Sequence, residues 1–272
     1  MPRRFTEQET EVYYDSEDAF YRSFWDEDGS VHWGFFDDKT GIDFLKACSN
    51  LDDMMVEKGR IRSSARVLDL GCGNGTTAIW LSTSQACHVT GIDLSGVRVQ
   101  NANDTKAQLH HQVQARLQFE KASATDLPFD DGSFSHLWSQ AVIYHVPDKE
   151  TVLSESYRVL ESGGIMVFDD LIKPQPNISE DAQKYVYDRL LYDTPYNFDS
   201  YQDALKAKGF KILEAHDISL HLKQSYLCLA DRTPKHESEH AEHYAWLTTA
   251  YKETARAVDN KELGWGLFIC QK

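Results

Sequence analysis

An apolar segment that runs directly into three alternating glycines constrains this chain more than any other feature of its sequence. Residues 67–70 are typical of a buried strand, Gly71, Gly73 and Gly75 follow at every second position, and a helical run begins at Thr76. Alternating glycines allow a sharp turn and let a ligand lie against bare peptide amides. The helix that follows offers unpaired N–H groups and a partial positive charge. The pattern therefore predicts a small-ligand site at the carboxyl end of a strand.

Strands and helices alternate on both sides of this turn. The apolar pattern predicts strands at 66–70, 88–93, 117–121, 133–139, 165–169, 210–218 and 263–270, and intervening helices at 40–58, 76–84, 95–114 and 149–160. Such alternation indicates an α/β fold with a doubly wound, mostly parallel, seven-stranded Rossmann-like sheet. We expect one domain with a helical cap (1–60), a ligand-binding core (61–170), and lid insertions with the last strands (171–272).

Charge and composition exclude several classes of function. The 28 basic and 43 acidic residues give a net charge of −15, which repels phosphate backbones and disfavours nucleic acid as a partner. No run of about 18 apolar residues is present, so we expect no membrane span, and the first residues lack the apolar run of a secretory signal. Five scattered cysteines are typical of reduced thiols and predict a cytoplasmic protein. A homodimer is an open alternative.

The residues around the glycine turn distinguish two ligand classes. Dinucleotide-binding turns have the spacing G-x-G-x-x-G and place a pyrophosphate on the helix N-terminus, whereas the third glycine comes one residue early here. Asp69 precedes the turn, where it would oppose phosphates but suit an ammonium group. Asp93 ends the second strand, where a carboxylate can accept both ribose hydroxyls. With no basic residue in the loop, the pattern favours a cationic nucleoside.

Four segments in succession resemble the motifs of class I S-adenosylmethionine (SAM) methyltransferases. They are Leu68-Asp-Leu-Gly-Cys-Gly-Asn-Gly75, Gly91-Ile-Asp93, Asp126-Leu-Pro-Phe129 and Arg158-Val-Leu-Glu-Ser-Gly-Gly164. Residues 14–34, 139–148 and 263–268 are similar to the sarcosine/dimethylglycine N-methyltransferase group, and related N-terminal modules occur in sterol, tocopherol-type and cyclopropane-type methyltransferases. One departure is Ala122-Ser123-Ala124, where many such enzymes have Gly-Asp-Ala.

The resemblance implies SAM as cofactor and a set of residues around it. Asp69 would face the methionine ammonium, Asp93 would hold the ribose, and the pair His32 and Trp33 would close over the cofactor. The whole implied set is Asp69, Gly71, Cys72, Gly73, Gly75, Asp93, Leu94, Ser123, Ala124, Gln140, His32 and Trp33. Within it, Cys72 is expected as a small residue that fits the turn rather than as a nucleophile.

Aromatic and histidine residues are candidates for the acceptor side. An amine acceptor must lose a proton, which a nearby histidine or tyrosine can assist, so His145 and Tyr21 are the catalytic candidates. Aromatic rings can hold a methylated ammonium by cation–π attraction, and Arg189 is the best partner for a substrate carboxylate. The remaining substrate candidates are Tyr14, Trp25, Tyr144, Tyr192 and Tyr196.

These residues predict methyl transfer to the nitrogen of a small amine or amino acid. The same aromatic walls would equally line a pocket for a lipid-like or natural-product acceptor, so a C- or O-methyltransferase is the main alternative. An NAD-linked oxidoreductase is disfavoured by the glycine spacing and Asp69, and a non-catalytic SAM-binding module by the aromatic N-terminal region.

One histidine run has the spacing of a metal site. His236, His240 and His243 follow one another at helical intervals, and two histidines one turn apart can bind zinc. Because glutamates lie between them and no apolar or cysteine setting surrounds them, we expect a solvated helix face and no metal.

Overall fold

Seven strands form one sheet in the computed structural model, which describes residues 5–22, 25, 32–233 and 241–272, without the side chains of 17–22. The strands are β1 (Arg66–Leu70), β2 (His88–Asp93), β3 (Leu117–Lys121), β4 (Phe134–Gln140), β5 (Leu160–Ile172), β6 (Lys211–Asp217) and β7 (Gly264–Gln271). Their spatial order is β3-β2-β1-β4-β5-β7-β6. The first five strands pair in parallel, and β7 is antiparallel to both its neighbours. The predicted doubly wound, mostly parallel sheet is confirmed.

Helices flank this sheet, and several begin at a side chain that caps the first turn. The helices are α1 (Glu7–Arg22), α2 (Phe44–Gly59), α3 (Thr76–Ser84), α4 (Gly96–Ala107), α5 (His111–Gln114), α6 (Lys149–Val159), α7 (Glu180–Ala182), α8 (Phe198–Ala207), α9 (Ser219–Arg232) and α10 (Ala241–Asp259). Ser95 and Asp148 accept hydrogen bonds from the third residue of α4 and α6, respectively. A 3₁₀ turn spans Ile143–His145, and a π-helical turn spans Gln183–Asp188.

Apolar residues cover both faces of the sheet. Along β1, Val67 packs with the cluster that includes α2, whereas Leu68 and Leu70 pack with the cluster that includes α6. This alternation follows from the two-residue period of a strand. The strand order reverses between β1 and β4, and the carboxyl ends at such a switch point are where doubly wound sheets bind ligands.

Three boundaries differ from the sequence-based prediction. The helix predicted at 95–114 ends at Ala107 and restarts as α5 with His110 as its cap. The fifth strand begins at Leu160, five residues early. The helix predicted at 40–58 spans Phe44–Gly59 and is followed by Arg60 in the left-handed region, with φ 56°. Gly59 allows close packing, because a Cβ there would lie 3.0 Å from Val167.

Among the described helices, none is both long and apolar enough to cross a membrane.

Candidate functional site

An open cavity lies at the carboxyl ends of the central strands, next to the glycine turn. Its empty volume is about 1020 Å³, a figure that includes the open mouth. Eleven of the predicted site residues line it: Tyr14, His32, Asp69, Gly71, Cys72, Gly73, Asp93, Leu94, Ala124, Gln140 and His145.

The glycine turn has a left-handed backbone at all three glycines. The φ angles are 78° at Gly71, 53° at Gly73 and 80° at Gly75, a region that side chains with a Cβ disfavour. The N–H groups of Gly71 and Cys72 both donate to the Ile92 carbonyl, at 2.8 and 2.9 Å. The turn is therefore fixed to the end of β2.

The three glycines nevertheless have different surroundings. A Cβ on Gly71 would overlap Val142, and one on Gly75 would lie 2.8 Å from Ala102 Cβ. A Cβ on Gly73 would have only a distant neighbour, at 3.8 Å. Gly73 therefore presents open backbone to the cavity. Gly75 is not among the residues that line the cavity, and it lets the start of α3 pack closely against Ala102 of α4 and Phe119 of β3.

Asp69 is a buried carboxyl group at the floor of the cavity. It is 3% exposed, and its Oδ2 has no hydrogen-bond partner among the residues that the structure describes. Burial and the neighbouring carboxylates Asp93 and Asp52 raise the pKa of Asp69 to about 8. A buried carboxyl group with a free oxygen is suited to a cationic ligand group.

Asp93 is fixed by backbone donors at the end of β2. Its Oδ2 accepts from Gly73 N at 2.9 Å and its Oδ1 from Ser95 N at 2.8 Å. Burial raises the pKa of Asp93, and the nearby Arg98 guanidinium opposes that shift.

Arg98 was not predicted as a site residue. It lies in the first turn of α4, is 7% exposed and lines the cavity. Its guanidinium carbon lies 4.2 Å from the ring centroid of Tyr14, within cation–π range. The glycine loop itself lacks a basic residue, as expected, but α4 places Arg98 beside Asp93. The position of Arg98, three residues after the Ser95 cap, could have indicated that its side chain lies near the strand ends.

Helix α1 covers the cavity from the side of β2 and β3. Tyr14 lines the cavity, and the Asp15 carboxylate accepts from Ser95 Oγ at 2.5 Å. Lys121 Nζ donates to Glu11 Oε1 at 2.5 Å. The sequence pattern predicted an aromatic wall in this N-terminal segment. These polar contacts hold the helix that carries Tyr14 against the start of α4 and the end of β3.

Ser123 was expected at the adenine edge but does not line the cavity. Its hydroxyl contacts both carboxylate oxygens of Glu7, at 2.9 and 3.0 Å, and accepts from Thr125 N. Ser123 therefore joins β3 to α1, whereas Ala124 lines the cavity.

Tyr14 and His145 meet at the cavity wall. The Tyr14 hydroxyl and His145 Nε2 are 2.5 Å apart. Burial, with a contribution from the nearby Lys149 charge, lowers the pKa of His145 to about 3. The imidazole is therefore neutral at ordinary pH, and Nε2 can accept the tyrosine proton. The side chain of Tyr21, the other catalytic candidate, lies outside the described part of the chain.

Trp33 lies in a buried aromatic cluster rather than over the cavity. Its ring centroid is 6.1 Å from Tyr144, 5.9 Å from Tyr226 and 5.6 Å from Trp265. Trp33 is not among the residues that line the cavity, whereas its neighbour His32 is. We call Trp33, Tyr144, Tyr192, Tyr226, Tyr251 and Trp265 the aromatic cluster.

Arg189 is inside the molecule, against this aromatic cluster. It is 8% exposed, and its guanidinium carbon lies 5.6 and 5.2 Å from the ring centroids of Tyr226 and Tyr251. Nη2 donates to Thr254 Oγ1 at 3.2 Å, and Nε donates to the Tyr185 carbonyl at 2.8 Å. Arg189 directly follows the π-helical turn, a type of distortion that is frequent at functional sites.

Two other substrate candidates lie apart from the cavity. Trp25 is buried, and its Nε1 donates to the His32 carbonyl at 3.2 Å. The Tyr196 hydroxyl donates to Glu150 Oε1 at 2.6 Å. Tyr196 lines a second open cavity, whose wall also includes Tyr144 and His145.

Tyr192 connects the aromatic cluster to the segment after Arg189. Its ring lies 4.6 Å from that of Tyr187 and 5.7 Å from that of Tyr144. Its hydroxyl has no hydrogen-bond partner within the described ranges.

The histidine run is only partly described. His236 and His240 lie outside the described residues, and the ring of His243 is 6.0 Å from that of Trp246. No cluster of three metal-ligating side chains occurs among the residues for which the structure gives a position.

Comparisons with known proteins agree with this geometry. A family model described as a methyltransferase domain matches residues 68–168. The chain is 32% identical to 27-O-demethylrifamycin SV methyltransferase of Amycolatopsis mediterranei, over 75% of this chain and 74% of the relative. It is 27% identical to sarcosine/dimethylglycine N-methyltransferase of Halorhodospira halochloris, over 100% of both chains. Its fold is similar to a cyclopropane synthase of Mycobacterium tuberculosis, with a TM-score of 0.87 at 14% identity and full coverage of both chains.

The cavity fits the cofactor of this family. The unpartnered Oδ2 of Asp69 suits an ammonium group, and Asp93 lies beside it at the next strand end, where a ribose would be held. The open face of Gly73 leaves room for close approach of a nucleoside. The matching domain, the relatives and the sheet topology agree, and the chain belongs to the class I SAM-dependent methyltransferases.

Proposed function

We propose that the protein methylates the nitrogen of a small amine that also carries a carboxylate, such as an N-methylated glycine. The observation that carries this proposal is the buried Arg189 guanidinium against the aromatic cluster. When bound, SAM supplies an electrophilic methyl group, so the protein mainly has to position the acceptor and exclude water.

Arg189 supports a carboxylate on the acceptor. The planar donors of a guanidinium match a carboxylate well. Arg189 Nε and Nη2 donate to a backbone carbonyl and to a hydroxyl, which are neutral groups. A substrate carboxylate that contacts the guanidinium would gain a charge-assisted interaction away from water.

The aromatic cluster supports an ammonium group on the same acceptor. Ring faces attract a cation by roughly 0.5–2 kcal/mol each, more when water is excluded. Tyr144 joins this cluster to the cofactor cavity, because its ring lies 3.9 Å from that of His145.

Tyr14 and His145 support an acceptor that loses a proton. The neutral imidazole accepts a hydrogen bond from the Tyr14 hydroxyl at Nε2, which orients the phenol oxygen at the cavity wall. An acceptor proton can move to the Tyr14 oxygen while the Tyr14 proton moves to Nε2, and the weakly basic imidazole then releases that proton to solvent. A C-methylation of an alkene would have no such proton to pass at the start.

The relatives support two acceptor classes. The Halorhodospira halochloris N-methyltransferase aligns with the whole chain and favours an amine. The Amycolatopsis mediterranei enzyme, by its name, methylates an oxygen on a natural product, and aromatic walls would also suit such an acceptor. The alternative is therefore O-methylation of a natural product.

A panel of acceptors tests the proposal. Methyl transfer from radiolabelled SAM would be measured with glycine, sarcosine, dimethylglycine, a phenol and a terpenoid alcohol. We expect turnover of at least one glycine derivative, and an Arg189→Lys variant that raises its KM at least tenfold. Dimethylethanolamine, which lacks the carboxylate, is the matched control and should show no such loss. Turnover of the phenol or the alcohol without any amine would refute the proposal.

A further inference from the structure

Lys149 is a buried cation next to the proposed acceptor site. It is the first residue of α6 and is 4% exposed. Its Nζ donates to the carbonyls of Tyr144 at 3.1 Å, Val146 at 2.9 Å and Asp193 at 2.7 Å. These bonds use all three ammonium donors.

The three carbonyls belong to two different parts of the chain. Tyr144 and Val146 flank His145 in the turn after β4. Asp193 lies in the segment that follows Arg189 and contains Tyr192. The Lys149 ammonium therefore joins the turn that carries His145 to the segment that carries the carboxylate candidate.

The position of this lysine is otherwise unfavourable. A positive charge at the first turn of a helix opposes the helix dipole, and burial lowers the pKa of Lys149 to about 8 despite the nearby Asp170 and Asp193. A lysine that merely covered the surface would extend its ammonium into water. The second cavity lies beside Lys149, yet the ammonium bonds three carbonyls instead.

We propose that Lys149 is a positioning residue for methyl transfer, which holds the His145 turn and the 189–193 segment at a fixed separation. The roles of His145 and Arg189 in this inference rest on the proposed function. If the ammonium is lost, the turn loses its link to Asp193, and both His145 and the acceptor would lose their relative placement.

The charge of Lys149 also acts on His145. Burial is the main cause that lowers the pKa of the imidazole, followed by Lys149, and Arg98 on α4 acts in the same direction. Backbone groups of Leu190 and Leu191 act in the opposite direction, and Tyr14 on α1 contacts Nε2. If Lys149 is replaced by an uncharged residue and the other neighbours are unchanged, the pKa of the His145 imidazole should rise.

Nuclear magnetic resonance of the His145 imidazole tests the inference without any acceptor. The enzyme saturated with S-adenosylhomocysteine (SAH) would be titrated from pH 3 to 7, a range that includes the low pKa of His145, as wild type, Lys149→Met and Lys208→Met. Lys208 is the matched control, because it pairs with Glu150 on the same helix at 2.7 Å but has no bond to the turn. We expect the His145 pKa to rise by about one unit in Lys149→Met, with the ring signal of the control unchanged.

A kinetic measurement completes the test. With SAM and sarcosine, Lys149→Met should lower kcat at least tenfold, while the SAH Kd changes less than twofold. Should Lys149→Met fail to fold, Lys149→Gln, which removes the charge but keeps two donors for the carbonyls, replaces it, with the same rise in the His145 pKa and a smaller loss of kcat expected. An unchanged titration together with an unchanged kcat would overturn the inference. Absence of sarcosine turnover in the wild type would count against the proposed function, and the titration would still decide on Lys149.

Discussion

Gly73 and Gly75 belong to one turn, but alanine substitutions at the two positions should have different effects. Gly75→Ala should mainly lower the stability, and Gly73→Ala should mainly weaken cofactor binding. Both have a positive φ, so each alanine should cost roughly 1–2 kcal/mol in backbone conformation. Gly41→Ala calibrates this cost alone, because Gly41 has a φ of 54° and nothing within 4 Å of an added Cβ. Differences in melting temperature among the three variants then report on the atoms that surround each added Cβ.

The surroundings predict a larger stability loss at Gly75. Its added Cβ would lie 2.8 Å from Ala102 and 2.9 Å from the Phe119 ring, and such overpacking costs roughly a further 1–3 kcal/mol. At about 2–4 °C per kcal/mol, Gly75→Ala should melt roughly 2–12 °C below Gly73→Ala. Gly73→Ala should melt close to Gly41→Ala.

Cofactor affinity should show the opposite order. The Cβ on Gly73 points into the open space of the cavity, so we expect SAH to bind at least tenfold more weakly, a loss of about 1.4 kcal/mol. Folded Gly75→Ala should bind SAH within threefold of wild type. Differential scanning fluorimetry without ligand and titration calorimetry with SAH measure the two quantities. An unaltered SAH Kd in Gly73→Ala, or equal melting of the Gly73 and Gly75 variants, would refute this division of roles.

Two further predictions concern the polar groups of the cavity. Tyr14→Phe keeps the ring that Arg98 contacts but removes the hydroxyl bonded to His145, so kcat should fall at least tenfold with SAH affinity within threefold; an unchanged kcat would exclude the hydroxyl from proton transfer. The pKa of Asp69 is about 8 in the fold and about 3.9 when unfolded, so its stabilising contribution is complete below pH 4 and is lost as the pH rises toward 8. In the ligand-free Asp69→Asn variant, the free energy of unfolding should therefore change less between pH 4 and pH 8 than in the wild type. SAH binding at pH 7, measured by calorimetry in buffers of different ionisation enthalpy, should release a proton from wild type but not from Asp69→Asn, and equal release would argue against an ammonium at Asp69.

The cofactor half of the molecule could be predicted from local sequence. The strand β1 begins and ends where the apolar run and the first glycine indicated, and Asp69, Gly73 and Asp93 line the cavity. These features depend on residues close together in the chain, because a strand, a tight turn and a helix start are local structures. Their signals are therefore present in a short window of sequence.

Other parts of the site depend on contacts between distant segments. In the cavity, Arg98 packs on the ring of Tyr14 from α1, and the Ser123 hydroxyl donates to Glu7 of that same helix. The resemblance implied that Trp33 closes over the cofactor together with His32, yet Trp33 packs on Trp265 near the other end of the chain. Spacing within a motif carries no information on such long-range partners.

The same difference explains why the comparisons identify the cofactor more sharply than the acceptor. The matched methyltransferase domain spans residues 68–168, which include the glycine turn, Asp93 and His145. Arg189 and most of the aromatic cluster lie outside that span, on the 32–36 segment and the elements after β5. These later elements contact the shared core through the pairing of β7 with β5 and through the Lys149 bond to Asp193, among others. In the proposed function they hold the acceptor, whereas the SAM site lies at the ends of the central strands, so relatives named for an oxygen and for a nitrogen acceptor can share one cofactor core.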